Sequence, residues 1–138
     1  MALPENQLII KRSTLPNAGK GLFTKVDIPK GARIVQYTGD IKAWKEVTEN
    51  PVFNAYVFYV NRNHVIDAKD NKKSIARYIN DAKGPNNPDG LKNNCKYEID
   101  GLKVYVIAMR NIPAGSELLV SYGRDYWKAI RHNQTLEQ

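Results

Sequence analysis

One cysteine among 138 residues, Cys95, is too few for two kinds of architecture. A lone thiol closes no internal disulfide and supplies no zinc site made of several thiolates, so a reducing intracellular setting is expected and a metal is not. Histidine is nearly as scarce. His64 and His132 have no acid or nucleophile at a spacing that a hydrolytic triad would use. No apolar run approaches the roughly 18 residues of a membrane span. The opening Met-Ala-Leu-Pro-Glu-Asn-Gln has no basic region followed by a long apolar core. The expectation is a soluble cytoplasmic or nuclear protein without a targeting signal.

Charge of one sign is in excess without being concentrated. Lys and Arg number 21 against 14 Asp and Glu, a net charge of +7, yet the cations are interleaved with acids and form no basic block. Such a field favours an acidic or phosphate-rich partner only in general terms. No element resembles a nucleic-acid docking motif, so direct nucleic-acid binding is left open without a motif to support it. A chain this long is expected to form a single domain over residues 1–138 that buries about two thirds of its unfolded surface, with residues 133–138 as a frayed tail. A homodimer is also left open.

What is present is mostly strand chemistry. Residues 7–13 read as a first strand, 22–23 begin a short apolar run after the turn-rich 14–21, and 32–38 form a strand ending at Tyr37. Asp40 suits the N-cap of a helix from Ile41 to Glu49 that Asn50-Pro51 ends. The aromatic and β-branched runs 55–60 and 64–66 fit strands. Asp100-Gly101, between Cys95–Ile99 and Leu102–Ile107, predicts a hairpin because Asp-Gly accepts the positive φ of a type I′ turn. Glu117–Tyr122 reads as a last strand, and Asp125–Arg131 as a short helix carrying Tyr126 and Trp127. Ile28-Pro-Lys-Gly31 and Ile112-Pro-Ala-Gly115 share one punctuation, a tight turn delivering the chain into a strand. Many short strands, two short helices and no alternation of strands with long helices predict a mostly β fold and exclude a doubly wound sheet.

Several segments carry more than packing. Gly19-Lys20-Gly21 lacks the third glycine of a dinucleotide fingerprint, Thr24 standing there, and lacks the helix of a P-loop. It reads either as a glycine turn or as a close backbone approach to a ligand. Tyr37, Tyr97 and Tyr122 each lie at or near a strand end. Singly, each reads most simply as packing; converging, their hydroxyls would line a narrow apolar channel aimed at one amine. Ala76-Arg77-Tyr78-Ile79-Asn80-Asp81 and Glu117-Leu-Leu-Val-Ser-Tyr-Gly123 each join a strand-like apolar run to polar groups that a plain core strand has no reason to carry.

In order from Gly19 to Trp127, the chain resembles the SET-domain protein lysine methyltransferases. Gly19-Lys-Gly-Leu-Phe23 resembles the family's glycine motif for S-adenosylmethionine, Tyr37-Thr-Gly39 its Tyr-x-Gly, and Ile66-Asp-Ala68 its strand before the cofactor loop. Arg77-Tyr-Ile-Asn80 resembles its Arg-Phe-hydrophobic-Asn segment, Asn94-Cys95 its Asn-Cys, and Glu117 to Gly123 its closing motif. The ending Tyr122-Gly-Arg-Asp-Tyr-Trp127 is similar to compact viral SET proteins. The resemblance implies several small sheets with the Asn80 and Tyr122 segments in a knot-like crossing, cofactor and peptide arriving from opposite faces.

It further implies S-adenosylmethionine bound by Gly19, Lys20, Gly21, Leu22, Arg77, Asn80, Asp81 and Tyr122, with Trp127 stacked on the adenine. Tyr122 would be the main orienting residue of catalysis and Tyr37 and Tyr97 hydrogen-bonding channel walls, transferring methyl to a lysine of a histone or another protein. Asp81 stands where the family usually has His. The cysteine-rich zinc module that follows many SET domains is absent, which leaves pocket closure to the helix with Trp127. Val120 occupies a position where family members often carry the aromatic residue that tunes product number, so mono- or dimethyl-lysine is expected. Two rivals stand beside this reading: a catalytically silent SET-like module gripping a lysine-bearing tail, and a basic nucleic-acid-associated protein without a cofactor.

Overall fold

The computed structural model describes residues 3–16, 18–49, 56–70, 73–82 and 90–121. Among them the fold is mostly β, in small antiparallel sheets. Strands β1 (Leu8–Arg12) and β2 (Lys20–Thr24) form a hairpin in continuous register from Leu8 opposite Thr24 to Arg12 opposite Lys20. β3 (Arg33–Gln36) joins β7 (Cys95–Asp100) and β8 (Lys103–Ala108) in a sheet of order β3-β8-β7. β4 (Asp40–Lys42), β5 (Val57–Asn61) and β6 (His64–Asp67) form another of order β4-β6-β5. No helix of the described residues is long and apolar enough to cross a membrane.

β8 is central and carries Val104, Val106, Ile107 and Ala108 into the interior. With Leu22, Ile34, Ile79, Cys95, Leu118 and Val120 they make one core reached by every sheet. Full burial of such aliphatic side chains stabilises by about 1.5–3 kcal/mol each, so the many short strands are held by this shared core rather than by their own length. A satellite cluster of Leu15, Ala82 and Leu119 lies under the β1–β2 turn.

Two sequence expectations are corrected. Residues 40–42 do not start a helix: Asp40, Ile41 and Lys42 pair with Asp67, Ile66 and Val65 of β6, and helix α1 is only Trp44–Thr48. Three residues gain a sheet edge and the Lys42 ammonium a 2.7 Å bond to the Asp67 carboxylate, which together outweigh the helical composition. The cap is Ala43, whose N–H donates to the Glu46 carboxylate at 3.2 Å. The strand-like 76–81 segment is likewise a single 3-10 turn, Ile75–Tyr78, followed by extended residues.

The hairpin at Asp100-Gly101 forms, but its two-residue loop is Gly101-Leu102, with Asp100 opposite Lys103 and Gly101 at φ 64°. Glycine thus takes the first central position, where positive φ is needed. The repeated Ile-Pro-x-Gly punctuation proves to be a contact. Ile28 and Ile112 exchange both backbone hydrogen bonds at 2.8 Å, and Gly31 and Gly115 complete matching turns at φ 87° and 88°.

Glu117 to Val120 does not run as one ladder. It makes isolated bridges to three partners: Glu117 to Phe23, Leu119 to Asn80 and Val120 to Cys95, the last two parallel. The Asn80 segment and the segment leading to Tyr122 therefore lie side by side. The path beyond Ser121, on which the knot-like crossing depends, lies outside the described residues, as do the expected helix 125–131, its Trp127 and the expected tail 133–138.

Candidate functional site

The β1–β2 turn is built around one carboxylate. Glu117, 8% exposed, accepts from Ser13 Oγ at 2.7 Å, Thr14 Oγ1 at 2.6 Å and the Thr14 backbone N–H at 2.9 Å. Asn80 Nδ2 approaches the same group at 3.4 Å and donates to the Lys20 carbonyl at 3.0 Å. A burial this deep requires such donors, because an unpaired carboxylate away from water is strongly unfavourable. Gly21 supplies the space: a Cβ there would collide with the Glu117 carboxylate. Gly19 turns the chain at φ 71° and its carbonyl accepts from the Ser13 N–H at 2.8 Å.

The 93–95 segment ties these parts together. Asn94 donates through Nδ2 to the Glu117 carbonyl and accepts at Oδ1 from the Leu119 N–H, both at 2.9 Å, so its side chain pairs with the closing segment as a strand backbone would. Asn93 donates to Asp81 Oδ1 at 2.9 Å and accepts from the Ala82 N–H at 2.8 Å. Cys95 is fully buried, and that burial pushes its thiol from an ordinary 9.0 up to about 12 despite the Leu119 backbone contact that lowers it.

The core also holds an aromatic cluster. Tyr37 and Tyr97 meet edge to face with centroids 6.1 Å apart, and Phe58 packs on Tyr97 at 4.9 Å and Tyr37 at 6.0 Å. Edge-to-face contacts of this kind favour a rigid wall. The Tyr37 hydroxyl donates to the Tyr56 carbonyl at 2.7 Å, which fixes the ring's orientation. Arg77 stacks over the Tyr56 ring at 4.4 Å, and its Nε and Nη1, with Ser74 Oγ, are buried without a hydrogen-bond partner.

The structure thus gathers Gly19, Gly21, the Lys20 carbonyl and Asn80 at one place, and Tyr37 and Tyr97 at another. Leu22 lies fully in the core, and Asp81, 3% exposed, is bonded to Asn93. Tyr122 and Trp127 are outside the described residues. Sequence reasoning did not single out Phe58, Tyr56 or the side-chain role of Glu117. Phe58 was legible only as one more aromatic in a strand, and Glu117 only as the first letter of a motif.

Comparison with known proteins bears on the same segments. Residues 19–123 match the family profile described as SET domain. The chain is 30% identical over 132 residues to histone-lysine N-methyltransferase 2D of Homo sapiens, covering 88% of this chain and 2% of that protein. It is 32% identical over 118 residues to histone-lysine N-methyltransferase NSD3 of Mus musculus, covering 78% of this chain and 8% of that protein. The chain therefore spans only a small fraction of the length of these curated relatives. Among solved structures, the methyltransferase domain of human PR domain-containing protein 2 superposes with a TM-score of 0.62 at 28% identity, covering 88% of this chain and 80% of that one.

Proposed function

This chain belongs to the SET-domain family, and from that premise we propose that it is an S-adenosylmethionine-dependent protein lysine N-methyltransferase, its catalytic domain running over 1–138. The observation that carries the reading is the fixed amide of Asn80. Its Nδ2 is committed to the Lys20 carbonyl and turned toward Glu117, which leaves Oδ1 as an acceptor. An ammonium is the natural partner for such an oxygen, and the cofactor's amino-acid end carries one. Arg77, stacked over the Tyr56 ring with its Nε and Nη1 buried, belongs to the binding set by family likeness. Gly19 has open space where a Cβ would stand, so a ligand can approach its backbone, while Gly21 serves the turn by making room for Glu117. Lys20 and Asp81 complete this binding set, Leu22 anchors β2 beneath it in the core, and Trp127 covers the adenine.

When bound, the cofactor supplies a methyl group activated by a sulfonium. The chain's own residues do the rest. A target lysine arrives protonated, and the apolar walls of Tyr37, Phe58 and Tyr97 disfavour its charge, promoting loss of the ammonium proton. The Tyr37 hydroxyl, held by its bond to the Tyr56 carbonyl, forms with Tyr97 the polar part of the channel wall and limits the amine's rotation. Tyr122 follows the segment paired with Asn80 and Cys95 and orients the amine for in-line attack, an alignment that supplies several kcal/mol of the barrier. Val120 leaves product number to Tyr97 and Tyr37, favouring mono- and dimethyl-lysine. The relatives' names point to a histone as acceptor, which goes with a nuclear setting; another lysine-bearing protein fits the same chemistry.

Calorimetric titration with S-adenosylmethionine in the presence of a chelator tests the reading. Saturable binding by folded protein is expected, and its absence at millimolar cofactor would contradict the enzyme assignment.

A further inference from the structure

Glu117 takes no part in the chemistry above, yet its buried carboxylate is approached by four donors. Three of its donors, Ser13 Oγ, Thr14 Oγ1 and Thr14 N–H, come from the β1–β2 turn and the fourth, Asn80 Nδ2, from the opposite wall of the site. Gly21 lacks the Cβ that would displace it. A purely structural position would do as well with an apolar side chain, since buried charges seldom outperform packed hydrophobic groups in stability.

We infer that Glu117 is a positioning residue of the cofactor site: its carboxylate locks the 13–21 turn to the Asn80 amide, so that the glycine backbone and the Asn80 oxygen meet one ligand in a single arrangement. The inference rests on the cofactor reading above. Leu15 anchors the same turn separately, packed with Ala82 and Leu119. Loss of Glu117 therefore leaves the turn attached but wrongly set.

Glu117→Gln is the test, because it keeps the shape while setting an amide nitrogen against a donor. The cofactor Kd measured by calorimetry should rise about tenfold or more, the size of one lost charge-assisted hydrogen bond. The kcat at saturating cofactor and the KM for a lysine peptide should change by less than about threefold. Combined with Asn80→Ala, the losses in cofactor affinity should be clearly less than additive, as expected for one network. Glu98→Gln, on the exposed side of β7, should leave cofactor affinity unchanged. Should Glu117→Gln fail to fold, Thr14→Val removes a single hydroxyl donor and should still weaken cofactor binding selectively.

A lowered melting temperature with unchanged cofactor Kd, or additive losses in the double variant, would overturn the inference. Wild-type protein that binds no cofactor would overturn the cofactor reading and this inference together. Wild-type binding with an unaffected Glu117→Gln variant would overturn the positioning role alone.

Discussion

Asn80 is the residue on which the proposed site turns, because its Nδ2 is bonded to the Lys20 carbonyl and, on the reading proposed above, its Oδ1 meets the cofactor. Asn80→Ala should weaken S-adenosylmethionine binding by about tenfold or more, and Asn61→Ala, remote on β5, by less than about twofold; equal losses in calorimetry would remove Asn80 from the site. For Tyr122→Phe the expected change is in rate. Turnover should fall by at least about an order of magnitude, some 1.4 kcal/mol of transition-state stabilisation, with cofactor affinity nearly constant. A variant with normal turnover would make Tyr122 a packing residue.

Cys95 has a different consequence. Its folded thiol holds its proton up to about 12, whereas the unfolded thiol gives it up near 9.0. The unfolded state binds fewer protons in between, so stability falls as pH rises through that window. Lys42 acts in the same direction further up. Its hydrogen bond to Asp67 raises it above 10.5, and the stability it contributes is full below that value and lost at higher pH. Melting temperatures measured from pH 8 to 11 should therefore decline, and Cys95→Ala should flatten the decline above pH 9; an unchanged slope would mean that the thiol is accessible in the folded state.

At the scale of elements, close approaches decide where glycine is required. A Cβ at Gly39 would run into the Asp67 and Ala68 backbone, while one at Gly101 would meet nothing and suffer only from its positive φ of 64°. Gly101→Ala should cost about 1 kcal/mol, and Gly39→Ala clearly more, because backbone in a paired strand does not yield. Urea denaturation of the two variants checks the order, and equal midpoints would refute the close approach.

The elements also show what could be read in advance. Apolar, aromatic and β-branched runs marked β1, β5, β6, β7 and β8 to within a residue or two, because such side chains suit a pleated, partly covered surface. Residues 40–42 were misread because a three-residue edge strand is specified by its partner β6 rather than by itself. The Ile28–Ile112 pairing was legible as a repeated turn and not as a contact, and the Glu117 donors lie more than one hundred residues away at Ser13 and Thr14. The glycine, Asn80 and tyrosine positions stood out in the sequence through their motifs, and their roles toward a ligand belong to the proposal; Phe58 and Tyr56 did not stand out, since packed aromatic positions admit many residues.

For the whole molecule, small sheets around one core present two faces of interest: the β1–β2 turn, tied to Asn80 through the Lys20 carbonyl, and the aromatic cluster of Tyr37, Phe58 and Tyr97. Methyl transfer needs two such faces, one for each reactant. The most direct measurement is transfer itself. Purified protein is incubated with isotopically labelled S-adenosylmethionine and histone peptides, each retaining a single lysine, followed by mass spectrometry of the acceptor. The account predicts label on the lysine side-chain nitrogen, chiefly as mono- and dimethyl-lysine, with incorporation lost in Asn80→Ala. Protein that binds the cofactor yet labels no lysine, in these peptides or in a cell lysate, would contradict it.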